Sequence, residues 1–314
     1  MKKLSIIIPV YYNEENLFPL YKDLKDKTLS KLTCEYEVIF VDDGSGDSSY
    51  KKMEALAKMD GNIKNVRLSR NFGEHAAILA GLSVCTGDCA VRKAADLQEP
   101  SEIILEMYNK YLEGSKVVLA VRTDREEPWH QKLFSGLYTF IIQKLALSNM
   151  PKGDFDTFLI DRQIIDLLVS LKLNNTPITE LILWSGFKAE MVHYVRKKRE
   201  IGRSRWTFAK KIKASLDALL GFSYFPIRCI SAGGFLTFWI SVIWTVILVA
   251  QRIRGAITVD GYTTIVILIL LSTGIIMFSI GILGEYLWRA LDAAKKSPPF
   301  IIDEPGTGNK KTSD

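Results

Sequence analysis

Val91–Pro100 reads VRKAADLQEP, and within it Asp96 and Gln98 place a carboxylate and an amide oxygen two residues apart. Oxygen donors of this kind suit a hard divalent cation such as Mg2+ or Mn2+, which takes few protein ligands and completes its shell with water and substrate oxygens. Glu99 follows directly. It reads either as a further oxygen ligand or as an acidic residue opening a helix beside Pro100. Position 94, two residues before Asp96, is alanine. The chain shows no Ser-His-Asp or Cys-His set for nucleophilic catalysis. His75, His130 and His193 read as ordinary structural or surface histidines, with His75 the most suggestive because it follows Gly73 by two.

Three more polar clusters share the pattern. Pro9–Glu15 (PVYYNEE), Asp42–Ser45 (DDGS) and Arg70–Gly73 (RNFG) each follow a short β-branched run, as Asp96–Glu99 does. Asp, Asn, Ser and Gly are common turn and capping residues, so one such loop means little. Four at successive strand ends describe one convergent pocket.

The elements that position them alternate. Leu4–Val10 and Glu37–Asp42 read as strands buried on both faces of a parallel sheet, with weaker strands at Val66–Leu68, Cys89–Arg92 and Val117–Val121. Helical patterns fall at Glu14–Lys27, Ser48–Met59, Glu74–Ser83 and Ser101–Glu113. The alternation predicts an α/β domain with ligands at the carboxyl ends of the strands. Beyond Val121 the sheet signal fades: Trp129–Leu147 and Ile178–Phe187 read as helices, and Pro151–Arg162 as turn-rich.

The second half changes character. Hydrophobic residues make up 48% of the 314, and the excess lies in Ile230–Ala250 and Tyr262–Leu283. Each is uncharged and about 20 residues long, which predicts two transmembrane helices. Lys and Arg cluster before the first and after the second, which places both termini in the cytoplasm. The expected organisation is a cytoplasmic domain over 1–213, a juxtamembrane amphipathic segment over 214–228, two spans within 229–288 (230–250 and 262–283), and a cytoplasmic tail over 289–314. Glycines in the spans would permit close helix approach, hence a homo-oligomer or simple packing of the pair. No secretory signal opens the chain. Its four cysteines lack metal-ligand spacing and fit a reducing compartment. The net charge of +6 comes from the juxtamembrane cluster, which suits an anionic inner leaflet, and no nucleic-acid motif accompanies it.

From IIIPVYYNEEN and VDDGSGD through RNFGEHAAILAG and ADLQEP to LIDR, WSGF, GRSRWTF, FSYFPIR and GILGEYLWRALDAAKKSPPFI, the chain resembles the family 2 glycosyltransferases of GT-A (Rossmann-like) fold that act on polyprenyl phosphates. Bactoprenol glucosyltransferases and dolichol-phosphate mannose synthase are of this kind. The resemblance spans nearly the whole chain. It implies inverting transfer of one sugar from a nucleotide-sugar donor, read as UDP-glucose or a related UDP-hexose, to an undecaprenyl-phosphate-like acceptor at the cytoplasmic membrane.

By the same resemblance, Pro9, Tyr11, Glu14, Asp43, Gly73, Ala95, Asp96 and Gln98 bind the donor, and Asp96 with Gln98 holds the metal. Asp96, Asp154 and Arg205 are the catalytic candidates. Arg162, Arg199, Arg203 and Arg205 are expected on the acceptor phosphate. Two positions depart from the family pattern: Ala94 stands where a second carboxylate is expected, and Asp156 where many relatives carry arginine. A lipid phosphate is already ionised at neutral pH, so the acceptor needs orientation more than a strong base. The rival readings are a processive polysaccharide synthase, which fits poorly because Gly202 precedes the Arg-Ser-Arg-Trp stretch where glutamine is expected, and a non-catalytic membrane partner that kept the fold.

Overall fold

The computed structural model describes residues 2–122, 151, 155–171, 177–195 and 297–304, with 261 and scattered positions between 265 and 294. The chain divides into two compact units, Met1–Ala218 with Pro298–Asp314, and Leu219–Ser297. The expected helix at 129–147, the juxtamembrane segment, the first span, Asp154, Arg199, Arg203 and Arg205 lie outside the described residues. So does most of the second span, whose described positions from Ile265 to Leu283 are helical. Among the described residues, no helix is long and apolar enough to cross a membrane.

The first unit is a mixed α/β layer structure. β1 (Lys3–Val10), β2 (Glu35–Asp42), β3 (Ile63–Leu68), β4 (Cys89–Arg92), β5 (Val117–Arg122), β6 (Thr157–Asp161), β7 (Ala189–Tyr194) and β8 (Ile302–Glu304) form one sheet. Their order is β7-β5-β6-β4-β1-β2-β3-β8. The central strands β4, β1, β2 and β3 run parallel, and β5 pairs parallel with β7. β6 is antiparallel to both β4 and β5, and β8 is antiparallel to β3. One edge of the sheet therefore gathers the carboxyl ends of β1–β5 and β7 together with the amino ends of β6 and β8.

The helices are α1 (Leu17–Lys27), α2 (Ser49–Met59), α3 (Glu74–Val84), α4 (Ile103–Leu112), α5 (Arg162–Leu171) and α6 (Ile178–Trp184). Leu4, Ile6, Ile8, Val38, Phe40 and Val91 alternate along the strands to fill one face, packed against Leu17, Leu20, Leu24, Met53, Ile104 and Met107 of α1, α2 and α4. On the other face α3 packs so closely that a Cβ on Gly81 would stand 2.5 Å from Ile7 Cγ2. Hydrophobic burial on both faces is the main force holding the layers together.

Three strands escape the sequence reading. β6 lies inside the stretch read as turn-rich, where Pro151, Gly153, Asp154 and Asp156 directly precede it. β7 is an edge strand whose outward residues are polar or exposed, and β8 belongs to the tail. The tail thus returns to the first unit, and Ser69 N–H donates to Ile301 O at 3.0 Å. α1 begins three residues later than expected because Asn13–Asn16 forms a turn of its own.

A polar cluster anchors the opposite edge. Glu37, 2% exposed, accepts hydrogen bonds from Ser5 Oγ at 2.6 Å, Thr86 N at 2.6 Å and Thr86 Oγ1 at 3.0 Å, and pairs with Lys64 at 2.6 Å. Burial alone pushes its carboxyl upward, but Lys64, Ser5 and the Thr86 amide outweigh that and hold it at about 2. The folded pKa lies below the unfolded value, so this stability is present above about pH 4.5 and is lost as pH falls toward 2. Glu37→Gln is expected to lower unfolding free energy at pH 7 by about 3 kcal/mol and to flatten the acid limb of the stability curve. Chemical denaturation followed by circular dichroism checks both; equal acid limbs would contradict the assignment.

Candidate active site

The site lies where the first five strands end. Behind β1, Tyr11 and Tyr12 meet edge to face, ring centroids 4.8 Å apart. Tyr12 takes a left-handed backbone (φ 52°), fixed by its N–H donating to Ser45 Oγ at 3.0 Å. Pro9 sits in β1 opposite Val41, half-buried. Glu14 Oε2 accepts Ser48 N–H at 3.0 Å, placing its charge at the start of α2, where the helix dipole favours an anion. These contacts tie the first loop to the second.

The second loop grips the third. Asp43, 3% exposed, accepts Phe72 N–H on Oδ1 at 2.7 Å and Gly73 N–H on Oδ2 at 3.0 Å. Gly44 lets the loops touch: at φ 70°, a Cβ there would stand 2.5 Å from the Arg70 carbonyl carbon. Gly73 adopts φ 97° at the head of α3 with open space above it. His75 Nδ1 accepts Ile178 N–H at 3.4 Å, which ties the first turn of α3 to the start of α6.

The fourth loop is a tight turn. Asp96 Oδ1 accepts Gln98 N–H at 3.2 Å, and Leu97 between them takes φ 59°. Tyr12 and Leu97 are the non-glycine residues with positive φ among the described residues, and both lie in this site, as stored backbone strain often does. Ala95 is buried in the core beneath the turn. Glu99 is fully engaged, with Arg92 on Oε1 at 2.9 Å and Ala94 N–H on Oε2 at 3.0 Å. Both of its oxygens are thus directed at Arg92 and the Ala94 amide.

The remaining strand ends carry residues the sequence reading passed over. Arg92 closes β4 and bonds Glu74, Glu99 and Thr157. Arg122 closes β5, donates through Nε to Tyr194 Oη at 3.3 Å and pairs with Asp156. Asp156 stands at the start of β6, so a guanidinium does reach this place, from the neighbouring strand. A charged residue ending a buried apolar run is the signal that marked both arginines.

Arg162 requires correction. It follows the carboxyl end of β6, which runs antiparallel to β4, so it lies at the opposite edge of the sheet. Its guanidinium donates to Gly87 O at 3.0 Å and to Cys85 O at 3.1 Å, closing the turn after α3. That position sets it apart from the strand ends that carry Asp43 and Asp96.

Among the described residues no group of three or more His, Cys, Asp or Glu side chains could hold a metal by itself. Asp96 and Gln98 share one turn and offer oxygen donors, which fits a cation whose shell a substrate diphosphate helps to complete.

Residues 5–168 match the glycosyl transferase family 2 model. The chain belongs to that family. It is 33% identical to an uncharacterised glycosyltransferase of Bacillus subtilis (strain 168), over 98% of this chain and 95% of that one. It is 30% identical to a prophage bactoprenol glucosyl transferase homologue of Escherichia coli (strain K12), over 96% of this chain and 98% of the relative. Among solved structures, it is similar to the mannosyltransferase PcManGT from Pyrobaculum calidifontis, in complex with GDP-Man and Mn2+. The TM-score there is 0.51 at 16% identity, covering 93% of this chain and 86% of that one. This likeness gives the fold, the mixed α/β GT-A arrangement expected from the sequence.

Burial pushes the Asp43 carboxyl up to about 6, the two loop amides only partly opposing it and Asp42 and Glu74 adding to the rise. A folded pKa above the unfolded one means Asp43 favours the fold below about pH 3.8 and loses that contribution as pH rises through about 6. Asp43→Asn is therefore expected to remove the loss of stability that wild type shows between pH 4 and pH 7.5 as Asp43 ionises, while losing one of the two loop hydrogen bonds at both pH values because an amide nitrogen cannot accept. Unfolding of both proteins at the two pH values decides it; an equal change in stability between pH 4 and pH 7.5 in wild type and variant would contradict the reading.

Proposed function

We propose that this family 2 glycosyltransferase transfers a single sugar from a nucleotide-sugar, UDP-glucose or a related UDP-hexose, to a polyprenyl phosphate such as undecaprenyl phosphate, with inversion. The observation that carries the reading is the convergence of Asp43, Gly73, Asp96 and Gln98 at adjacent strand ends of one sheet. The likeness to bactoprenol glucosyl transferase relatives over almost the whole chain supports the acceptor class.

In this reading the Pro9–Glu14 loop and Asp43 hold the nucleoside, while Gly73 lets the chain pass close to the diphosphate. Asp96 and Gln98 hold Mg2+ or Mn2+. The ion, when bound, acts as a Lewis acid on the departing diphosphate. The lipid phosphate attacks as an anion, so the protein's task is orientation and charge stabilisation. Arg122, beside Asp156, is the described guanidinium suited to the acceptor phosphate, together with Arg199, Arg203 and Arg205. Asp154 orients a donor hydroxyl or serves as a weak base.

The protein acts as an integral membrane enzyme of the cytoplasmic membrane, with its first unit and both termini on the cytoplasmic side. The exposed aliphatic side chains Ile265, Leu268, Ile269, Ile276 and Ile280 support contact with lipid.

Membranes carrying the protein, incubated with radiolabelled nucleotide-sugars and extracted with organic solvent, test the reading. One labelled lipid bearing a single sugar is expected. A ladder of oligomers, or no lipid product with any donor, would contradict it. Asp96→Ala is expected to abolish transfer, by about 100-fold or more, while the protein stays folded and membrane-bound. Near-normal turnover would place the metal elsewhere.

A further inference from the structure

Arg92 ends β4 with its side chain 7% exposed, and groups from three elements converge on it. One terminal nitrogen bonds Glu74 in the first turn of α3. The other donates to Glu99 Oε1 at 2.9 Å and to Thr157 Oγ1 of β6 at 3.3 Å. Glu99 in turn closes the Asp96 turn at both ends. Its Oε2 accepts Ala94 N–H at 3.0 Å, and its backbone carbonyl accepts Lys93 Nζ at 2.8 Å. The third loop, the fourth loop and β6 are therefore joined through one guanidinium.

Burying a cation with two carboxylates is a weak way to gain stability, since well-packed apolar residues at such places often do as well or better. What the fork supplies is geometry. Its planar donors fix directions that an apolar side chain leaves open. The groups it fixes are the ones on which a donor diphosphate would rest: the Gly73–Glu74 head of α3 on one side and the Asp96–Gln98 turn on the other.

We propose that Arg92 is a positioning residue of the donor site, holding the head of α3 and the Asp96–Gln98 turn in the one relation that lets both meet the same nucleotide diphosphate. This rests on the donor-site reading above. Arg92 does not touch substrate; it acts through Glu74 and Glu99. A lysine keeps the charge but cannot span Glu74, Glu99 and Thr157 at once.

The test uses the purified full chain and measures affinity for UDP and for GDP with Mn2+ by calorimetry, beside thermal unfolding and donor kinetics. Arg92→Lys is expected to unfold cooperatively yet to bind the nucleotide about tenfold more weakly or worse, since displacements of this kind at a built site carry penalties of that order. The donor KM is expected to rise with it. Glu74→Gln alters the fork from the α3 side at a part-exposed residue, so it reports even if Arg92→Lys fails to fold, and about threefold weaker binding is expected of it. A purely structural role predicts lower melting temperatures with unchanged nucleotide affinity, and that result would overturn the proposal. A wild type that bound neither nucleotide would overturn the donor-site reading as well; a wild type that bound, with both variants equal to it, would overturn the role of Arg92 alone.

Discussion

Charge carried to the end of a buried parallel strand has to be met there by partners, because water is not available to solvate it. In this protein the requirement falls on β2 and β4. Asp42 and Asp43 close the first and Arg92 and Lys93 close or follow the second, each within a tenth of full burial. The partners come from the loops: the amides of Phe72 and Gly73 for Asp43, and Glu74, Glu99 and the Glu99 carbonyl for the two cations. Satisfying these groups draws the third and fourth loops onto the sheet edge. The third and fourth loops are thereby held beside the carboxyl ends of β2 and β4.

The consequence for chemistry lies in the turn at Asp96. Ala94 stands where a second carboxylate is expected, and the nearby Glu99 has its two oxygens directed at Arg92 and the Ala94 amide. In the proposed reading, Asp96 and Gln98 would offer a hard cation one carboxylate and one amide oxygen, and substrate oxygens and water would complete its shell. Metal and donor would then bind together, each weakly alone, an arrangement in which affinity depends on how well the protein fixes the turn. The left-handed backbone at Leu97 and the closure of the turn on Glu99 are the means by which it is fixed.

Much of this was legible in the sequence where burial dictates residue type. β1 and β2 announce themselves as unbroken apolar runs, and the polar residues that follow them mark the site because nothing else explains their position. β6 was not legible, since the Pro, Gly and Asp residues directly before it read as turn, and its reversed direction is what sets Arg162 at the far edge. β8 could not be found locally: its only reason for being a strand is the edge of β3, which lies more than 200 residues earlier. Arg92 and Arg122 were passed over because a cation at a strand end reads as a boundary until its partners are known. Those partners, Glu74, Asp156 and Thr157, are distant in sequence.

The account is tested most directly by a structure of the protein with a UDP-sugar and Mn2+ bound, the ion located by its anomalous scattering. The ion is expected against Asp96 and Gln98, bridging the diphosphate, with Glu99 still on Arg92 and with Asp43 and Gly73 lining the same cleft. An ion held by other residues, or a nucleotide bound with no ion near Asp96, would contradict it.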